Sequence, residues 1–294
     1  MEETNDVVLN HARCIFQVIF VERRGCMTAR RSDQGKKTLL FNVEQGQAQH
    51  TYAAFRDGKL VPAHENDQPV APLAEFVHDS FRALVLNPKF SCVGAKSALR
   101  TGSYRFGMYP TMTEPEATAA LAHDLWSFVG EQGQFGDNFY TFVASFEQPV
   151  VSNEAEWERL VWTQLQQLHD LDRQHHGWDP SVSADPDSAS FSFSVGGQAF
   201  FVVGLHPAST RWARRFAWPT LVFNAHHQFT RLRGEGKFER LREVIRTRDQ
   251  GLQGSLNPNL DDWGAQSEAR QYSGRPVEAD WRCPFHVQVN DQAA

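Results

Sequence analysis

The sequence predicts an α+β fold, mainly helical around a central antiparallel sheet, in a single main domain. Three observations carry that expectation. Apolar residues recur at helical spacing before and after a cluster of short runs. Those runs have the length and alternation of strands, and a Gly-Gly pair joins two of them as a tight hairpin.

In chain order, residues 1–66 mix the apolar stretch CIFQVIFV, the basic stretch ERRGCMTARRSDQGKK and a turn-rich segment ending near AHENDQP. They read as an N-terminal extension to a domain over 67–294. From Pro72, PLAEFVHDSFRALVL sets Leu73, Phe76, Val77, Phe81 and Leu84 at a helical period, with proline suited to the first turn. That helix ends before Asn87-Pro88, because a residue preceding proline resists helical angles. EPEATAALAHDLWSFVGEQ predicts a second helix, with acidic residues in the first turn, where the dipole favours them. In the third, Asn153 caps and Glu156 follows three residues on, ahead of a one-sided stripe of Trp157, Leu160, Val161, Leu165 and Leu168.

That stripe calls for a sheet to pack on, and FYTFVASF, ASFSFSV, QAFFVVGL and PTLVFNA all read as strands. In the second of these Phe191, Phe193 and Val195 alternate with Ser192 and Ser194, and Gly196-Gly197 turns it into the next. GKFERLREVIRTRDQGLQG predicts a fourth long helix, closed by Gly251 or Gly254. The following SLNPNLDDWGAQSEARQYSGRPVEADWRCPF has no sustained period, yet is rich in aromatic and charged residues, as site-bearing packed loops often are.

Composition removes several function classes. With 29 Lys plus Arg against 35 Asp plus Glu the formal charge is -6, which gives no general attraction to phosphate backbones or acidic membranes. Neither a nucleic-acid partner nor a membrane is expected. No apolar run approaches the ~20 residues of a bilayer span, and the charged start MEETND is wrong for a secretory signal, so the chain reads as cytoplasmic. Cys14, Cys26, Cys92 and Cys283 are too scattered for a disulfide framework, and none forms a C-x-x-C pair.

Cys92, in NPKFSCVGAKSALR, has two readings. As a thiolate near a helix N-terminus it would gain from the N–H groups of VGAKSAL and from Lys96 and Arg100, with Gly94 letting a ligand approach; as a free cysteine it is a small buried hydrophobe. His206, between an apolar strand and Pro207, can ligate iron or cap a turn. His226 and His227 follow another strand, where neighbours on an extended chain point to opposite faces. Cys283 precedes Pro284, which can present a thiolate or simply pack. The arginine-rich segments RWARRF and RLRGEGKFERLREVIRTRD suit ion pairs or a carboxylate clamp. Nothing resembles a phosphate-cradling glycine loop or a serine nucleophile elbow.

Five ordered phrases add up to more than their local physics. NPKFSCVGAKSAL, YRFGMYP, LHPASTRWARRFAWPTLVFNAHHQF, IRTRDQGLQGSLNPNL and SEARQYSGR followed by WRCPF resemble successive blocks of the YqcI/YcgG family, from about Pro72 to Phe285. The resemblance implies haem b and a haem-dependent N-hydroxylase acting on the guanidine group of arginine or arginine-derived amino acids. A proximal thiolate promotes O–O cleavage, so the resemblance makes Cys92 the implied axial ligand, with His206 second and Cys283 third. It also implies a carboxylate for a planar guanidinium, for which Glu268 is preferred and Asp249 is the alternative. Arg105, Arg211, Arg214 and Tyr272 are the implied propionate partners.

The expected function is therefore a monooxygenase using dioxygen and an external electron donor, a ferredoxin or reductase, because no flavin or nicotinamide fingerprint is present. A homodimer is compatible with this reading. Two rivals stand beside it: a non-catalytic haem-binding stress or sensor protein, and a non-haem iron oxygenase using His206, His226 or His227 with a carboxylate.

Overall fold

Proline placement sets the limits of the first helix. In the computed structural model, which describes residues 51–64, 69–256 and 266–287, α1 (Pro72–Leu86) starts on its proline and stops at Asn87, whose N–H reaches back to Leu84 O. Its neighbour α2 (Val93–Thr101) is capped by Cys92 and closed by Gly102 in the left-handed region, φ 69°. Next come α3 (Pro115–Glu131) and α4 (Glu154–Asp172). Asn153 caps α4 as its sequence requires, Oδ1 accepting from Glu156 N at 2.9 Å, while the Glu156 carboxylate turns to Ser152 N instead of closing a reciprocal box.

Seven strands form one sheet: β1 (Thr51–Arg56), β2 (Lys59–Pro62), β3 (Tyr104–Thr111), β4 (Thr141–Gln148), β5 (Phe193–Val195), β6 (Gln198–Leu205) and β7 (Thr220–Ala225), in the order β2-β1-β3-β4-β7-β6-β5. The hairpin at Gly196 and Gly197 is present, both at positive φ, as a two-residue turn demands. The sheet is mixed, which corrects the expectation of a central antiparallel one: β3 and β4, in its middle, are parallel. The cause is α3, a crossover helix that carries the chain back so that β4 re-enters in the direction of β3.

Residues 51–62, assigned from sequence to the extension, pair with β3 as an antiparallel hairpin and so belong to the sheet. CIFQVIFV lies outside the described residues. All described residues fall in one compact unit, 42–294. Strand β3 was not anticipated, because Arg105 and Gly107 interrupt its apolar alternation. His226 and His227 open α5 (His226–Gly234) rather than continuing an extended strand.

The two faces of the sheet differ. On one, Phe142, Phe146, Phe200, Val202, Leu221 and Phe223 pack with Trp157, Val161 and Leu165 of α4; at roughly 1.5–3 kcal/mol for each large side chain buried, this is the main store of stability. On the other, α1 covers Tyr104 and Phe106 through His78, and the remaining space is roofed by α6 (Phe238–Gln253), which buries none of its residues. A short helix, α7 (Ala269–Tyr272), lies against β6.

Candidate functional site

The alternation of β6 and β7 creates a cavity on the second face. Val203 and Leu205 of β6 and Val222 and Asn224 of β7 point away from the aromatic core and line it, and Phe81 and Val85 of α1 form a side wall. On α6, Ile245 and Asp249 stand one turn apart and, with Arg246, face inward as the roof. The cavity is partly open, with a volume of about 200 Å³.

Cys92 opens on this cavity. The Asn87-Pro88 stop and the turn after it, with Lys89 N on Asn87 Oδ1 at 2.9 Å, deliver it to the N-cap of α2, where Sγ accepts from Ala95 N at 3.4 Å. A sulfur is a weak acceptor for a position that usually takes Ser, Thr, Asp or Asn. Gly94 does not make room for a ligand. A Cβ there would meet the Phe139 ring at 3.3 Å, so its bareness serves that packing.

Two cations flank the sulfur. Lys96 is buried, and its Nζ donates to Pro88 O at 3.0 Å. Arg214 lines the cavity, with Nη1 on Gly204 O and Tyr272 O and Nη2 on Gln271 O, at 3.0–3.2 Å. Neither has an ion pair among the described residues. Burial pushes the Arg214 guanidinium down to about 10; Asp249 opposes that and Arg211 adds to it. Lys96 is lowered by burial, then by Arg248 and Arg100. The Cys92 thiol is raised by burial, against the pull of the Ala95 and Gly94 N–H groups, Arg214 and Lys96. Burial therefore favours the thiol, while the Ala95 and Gly94 N–H groups, Arg214 and Lys96 favour a negative charge on sulfur.

Arg211 and Asp249 close the roof. They form an ion pair, and Arg211 also reaches Ser255 Oγ at 3.2 Å and Ser255 O at 3.0 Å. Beside them Trp212 N donates to Gln253 Oε1 at 2.9 Å, and Gln253 Nε2 to Thr210 O at 3.0 Å. The C-terminal end of α6 is thus clamped to the 210–212 loop.

Of the residues nominated from sequence, Cys92, Arg211, Arg214 and Asp249 meet at this cavity. The others do not line it. Glu268 is buried with Ser192 and Tyr272, whose hydroxyls each lie 2.6 Å from Oε1, while Oε2 has no partner; burial pushes the carboxyl up to about 8. Tyr272 OH also accepts from Phe193 N, so this group braces the edge of the short β5. Arg105 pairs with Glu131 under the Phe135 ring. His206 stacks on Trp157, centroids 5.2 Å apart, and burial with nearby Arg214 lowers it to about 4. Cys283 packs in the aromatic core, its thiol pushed up to about 12 by burial.

Sequence reading missed Arg246, Ile245 and the apolar walls. The signal for the first two was their one-turn register with Asp249 inside IRTRDQ. Among the described residues no three His, Cys, Asp or Glu side chains gather to hold a metal ion, so the histidines proposed for non-haem iron have no described ligand set. Among the same residues no helix is long and apolar enough to cross a membrane. A family model described as the YqcI/YcgG family matches residues 81–286. No curated protein and no solved structure matches the chain.

Proposed function

The chain belongs to the YqcI/YcgG family, and on that premise we propose that it is a haem-dependent monooxygenase that N-hydroxylates a guanidine-bearing, arginine-like or related amine amino acid. The observation that carries this reading is the setting of Cys92: a sulfur on an apolar cavity, at a helix N-terminus, between two cations that lack described carboxylate partners. That donor set fits a group bound through thiolate. Arg214 and Arg246 are the cations on the cavity wall for its propionates.

When bound, haem b supplies the activation of dioxygen that no side chain can provide. The overall reaction consumes dioxygen, two electrons and two protons; one oxygen atom is placed on nitrogen and the other leaves as water, so an external ferredoxin or reductase is needed. With the group bound, Lys96 and Arg214 would help to hold Cys92 as the thiolate, against the burial that otherwise favours the thiol. The apolar walls exclude water. Asp249, rather than Glu268, is the carboxylate on the cavity wall, and it already holds a guanidinium, that of Arg211. A guanidine substrate would compete for it.

A cavity of about 200 Å³ is below the roughly 300–1,000 Å³ of cofactor sites. Haem would need more room than this, and the roof helix α6, with no buried residue, is the least anchored wall of the cavity. The test is the optical spectrum of the protein reconstituted with haem, beside that of Cys92→Ala. A Soret band that is lost or strongly shifted in the variant is expected. No band in the parent refutes haem, and an unchanged band in the variant returns Cys92 to packing. A loaded protein that gives no hydroxylated product with arginine-like amines, dioxygen and reductant supports the sensor alternative.

A further inference from the structure

Residues 80–113 contain five cations, Arg82, Lys89, Lys96, Arg100 and Arg105, and no Asp or Glu, in a chain whose formal charge is -6. Two are used inside the fold. Arg105 pairs with Glu131, and Arg82 donates to Leu99 O and the Tyr104 hydroxyl against the Phe55 ring. The other three lie along α2 and its entry. Lys96 and Arg100 are one turn apart, and Lys96 Nζ holds Pro88 O beside the exposed Lys89.

A sixth cation joins them from another element. Helix α6 packs against α2 and carries the exposed Arg248 close enough to Lys96 for the two cations to repel, as Arg100 does from α2 itself. Lys89, Arg100 and Arg248 have no ion pair among the described residues. Like charges held together repel, and no acidic residue of the 80–113 block offsets them. An opposite charge on a partner offsets that cost. The face is also close to the cavity: Arg100 is eight residues beyond Cys92, about 12 Å along the helix axis.

We propose that Lys89, Arg100 and Arg248 form the docking surface for an acidic one-electron carrier protein, an iron–sulfur ferredoxin, seated beside the helix that Cys92 caps. A nucleic acid, the other large polyanion, is disfavoured by the net charge of -6. The purpose of the surface rests on the haem reading above. Each reduced carrier gives up one electron and departs oxidised, and two visits supply the two electrons that accompany dioxygen and two protons.

The test is calorimetric titration of an acidic [2Fe–2S] ferredoxin into the full-length protein. Binding at about 20 mM salt should weaken at least about tenfold by about 300 mM. The double variant Arg100→Glu/Arg248→Glu should lose about tenfold at low salt with an unchanged melting midpoint. Reversal of Arg282, exposed and paired with Asp187 elsewhere on the surface, should change nothing. No binding at low salt, or equal binding to parent and double variant, overturns the proposal. The haem spectrum of the same samples is read separately. Salt-sensitive ferredoxin binding without haem uptake refutes the proposed function and leaves the surface standing; a haem-loaded protein that ignores ferredoxin refutes the surface alone.

Discussion

Glu268 is a carboxyl group that the fold holds in its neutral form. It is buried, one oxygen has no partner, and even with the Ser192 and Tyr272 hydroxyls on the other oxygen and Arg233 nearby its folded value rises to about 8. Desolvation outweighs the hydrogen bonds. Because the folded value lies above the unfolded one, its contribution to stability is complete at low pH and is lost as pH rises through about 8. Replacing Glu268 with Gln should remove this contribution, so that stability changes between about pH 4.5 and 8 by on the order of a few kcal/mol more favourably with rising pH than in the parent, in denaturant titrations across that range. A variant with the parent's slope would show that Glu268 ionises freely. Cys92 follows the same rule: burial favours its neutral form, and the cations around it pull the other way, towards the thiolate.

Helices α4 and α6 are of similar length, yet they are held differently. Trp157, Val161, Leu165 and Leu168 anchor α4 in the core, whereas α6 has no buried residue and depends on Arg211–Asp249 and on Gln253 to hold its C-terminal end. Local opening should therefore be easiest in α6. Asp249→Asn removes the charge that Arg211 holds in a partly buried setting, a loss of roughly 1–3 kcal/mol. Hydrogen exchange of the α6 amides should quicken by about tenfold or more while that of α4 is unchanged. Equal protection of α6 in parent and variant would mean that the clamp contributes nothing. The same helix spacing that makes a sequence pattern legible, one turn from Ile245 to Asp249, gave no indication of whether that face met a core or roofed a cavity.

For the whole molecule, buried titratable groups set opposing limits on pH stability. Burial pushes His78, His206 and His226 to about 4. Depressed values remove stability as pH falls below the unfolded histidine range, near 6.5. Glu268 removes it as pH rises from about 4.5 towards 8. Between about pH 4.5 and 6.5 these histidines, with His169 and His227, which burial also lowers, outnumber the raised carboxyls of Glu268 and Glu147, so stability rises with pH; above that range the carboxyls act and it falls. The maximum is expected near pH 6.5, measurable as the melting midpoint across a buffer series. A midpoint still climbing from pH 6.5 to 8 would contradict this balance. Burial of these ionisable groups is a property of the packed chain that composition cannot express.

By itself, the sequence determined what depends on near neighbours: the limits of α1, the Asn153 cap, the Gly196-Gly197 hairpin and strand β6. It also carried the family, whose model matches residues 81–286. The tertiary structure decided the rest. The parallel β3–β4 pair follows from a crossover, not from any local signal. Hairpin β1–β2 became part of the domain only through its pairing with β3. Cys92, Arg211, Arg214 and Asp249 converge from three separate segments, while Glu268, in an equally suggestive block, brackets a strand instead. Local propensity acts over a few residues, but a cavity is built from side chains a hundred residues apart, and only packing determines which of them share it.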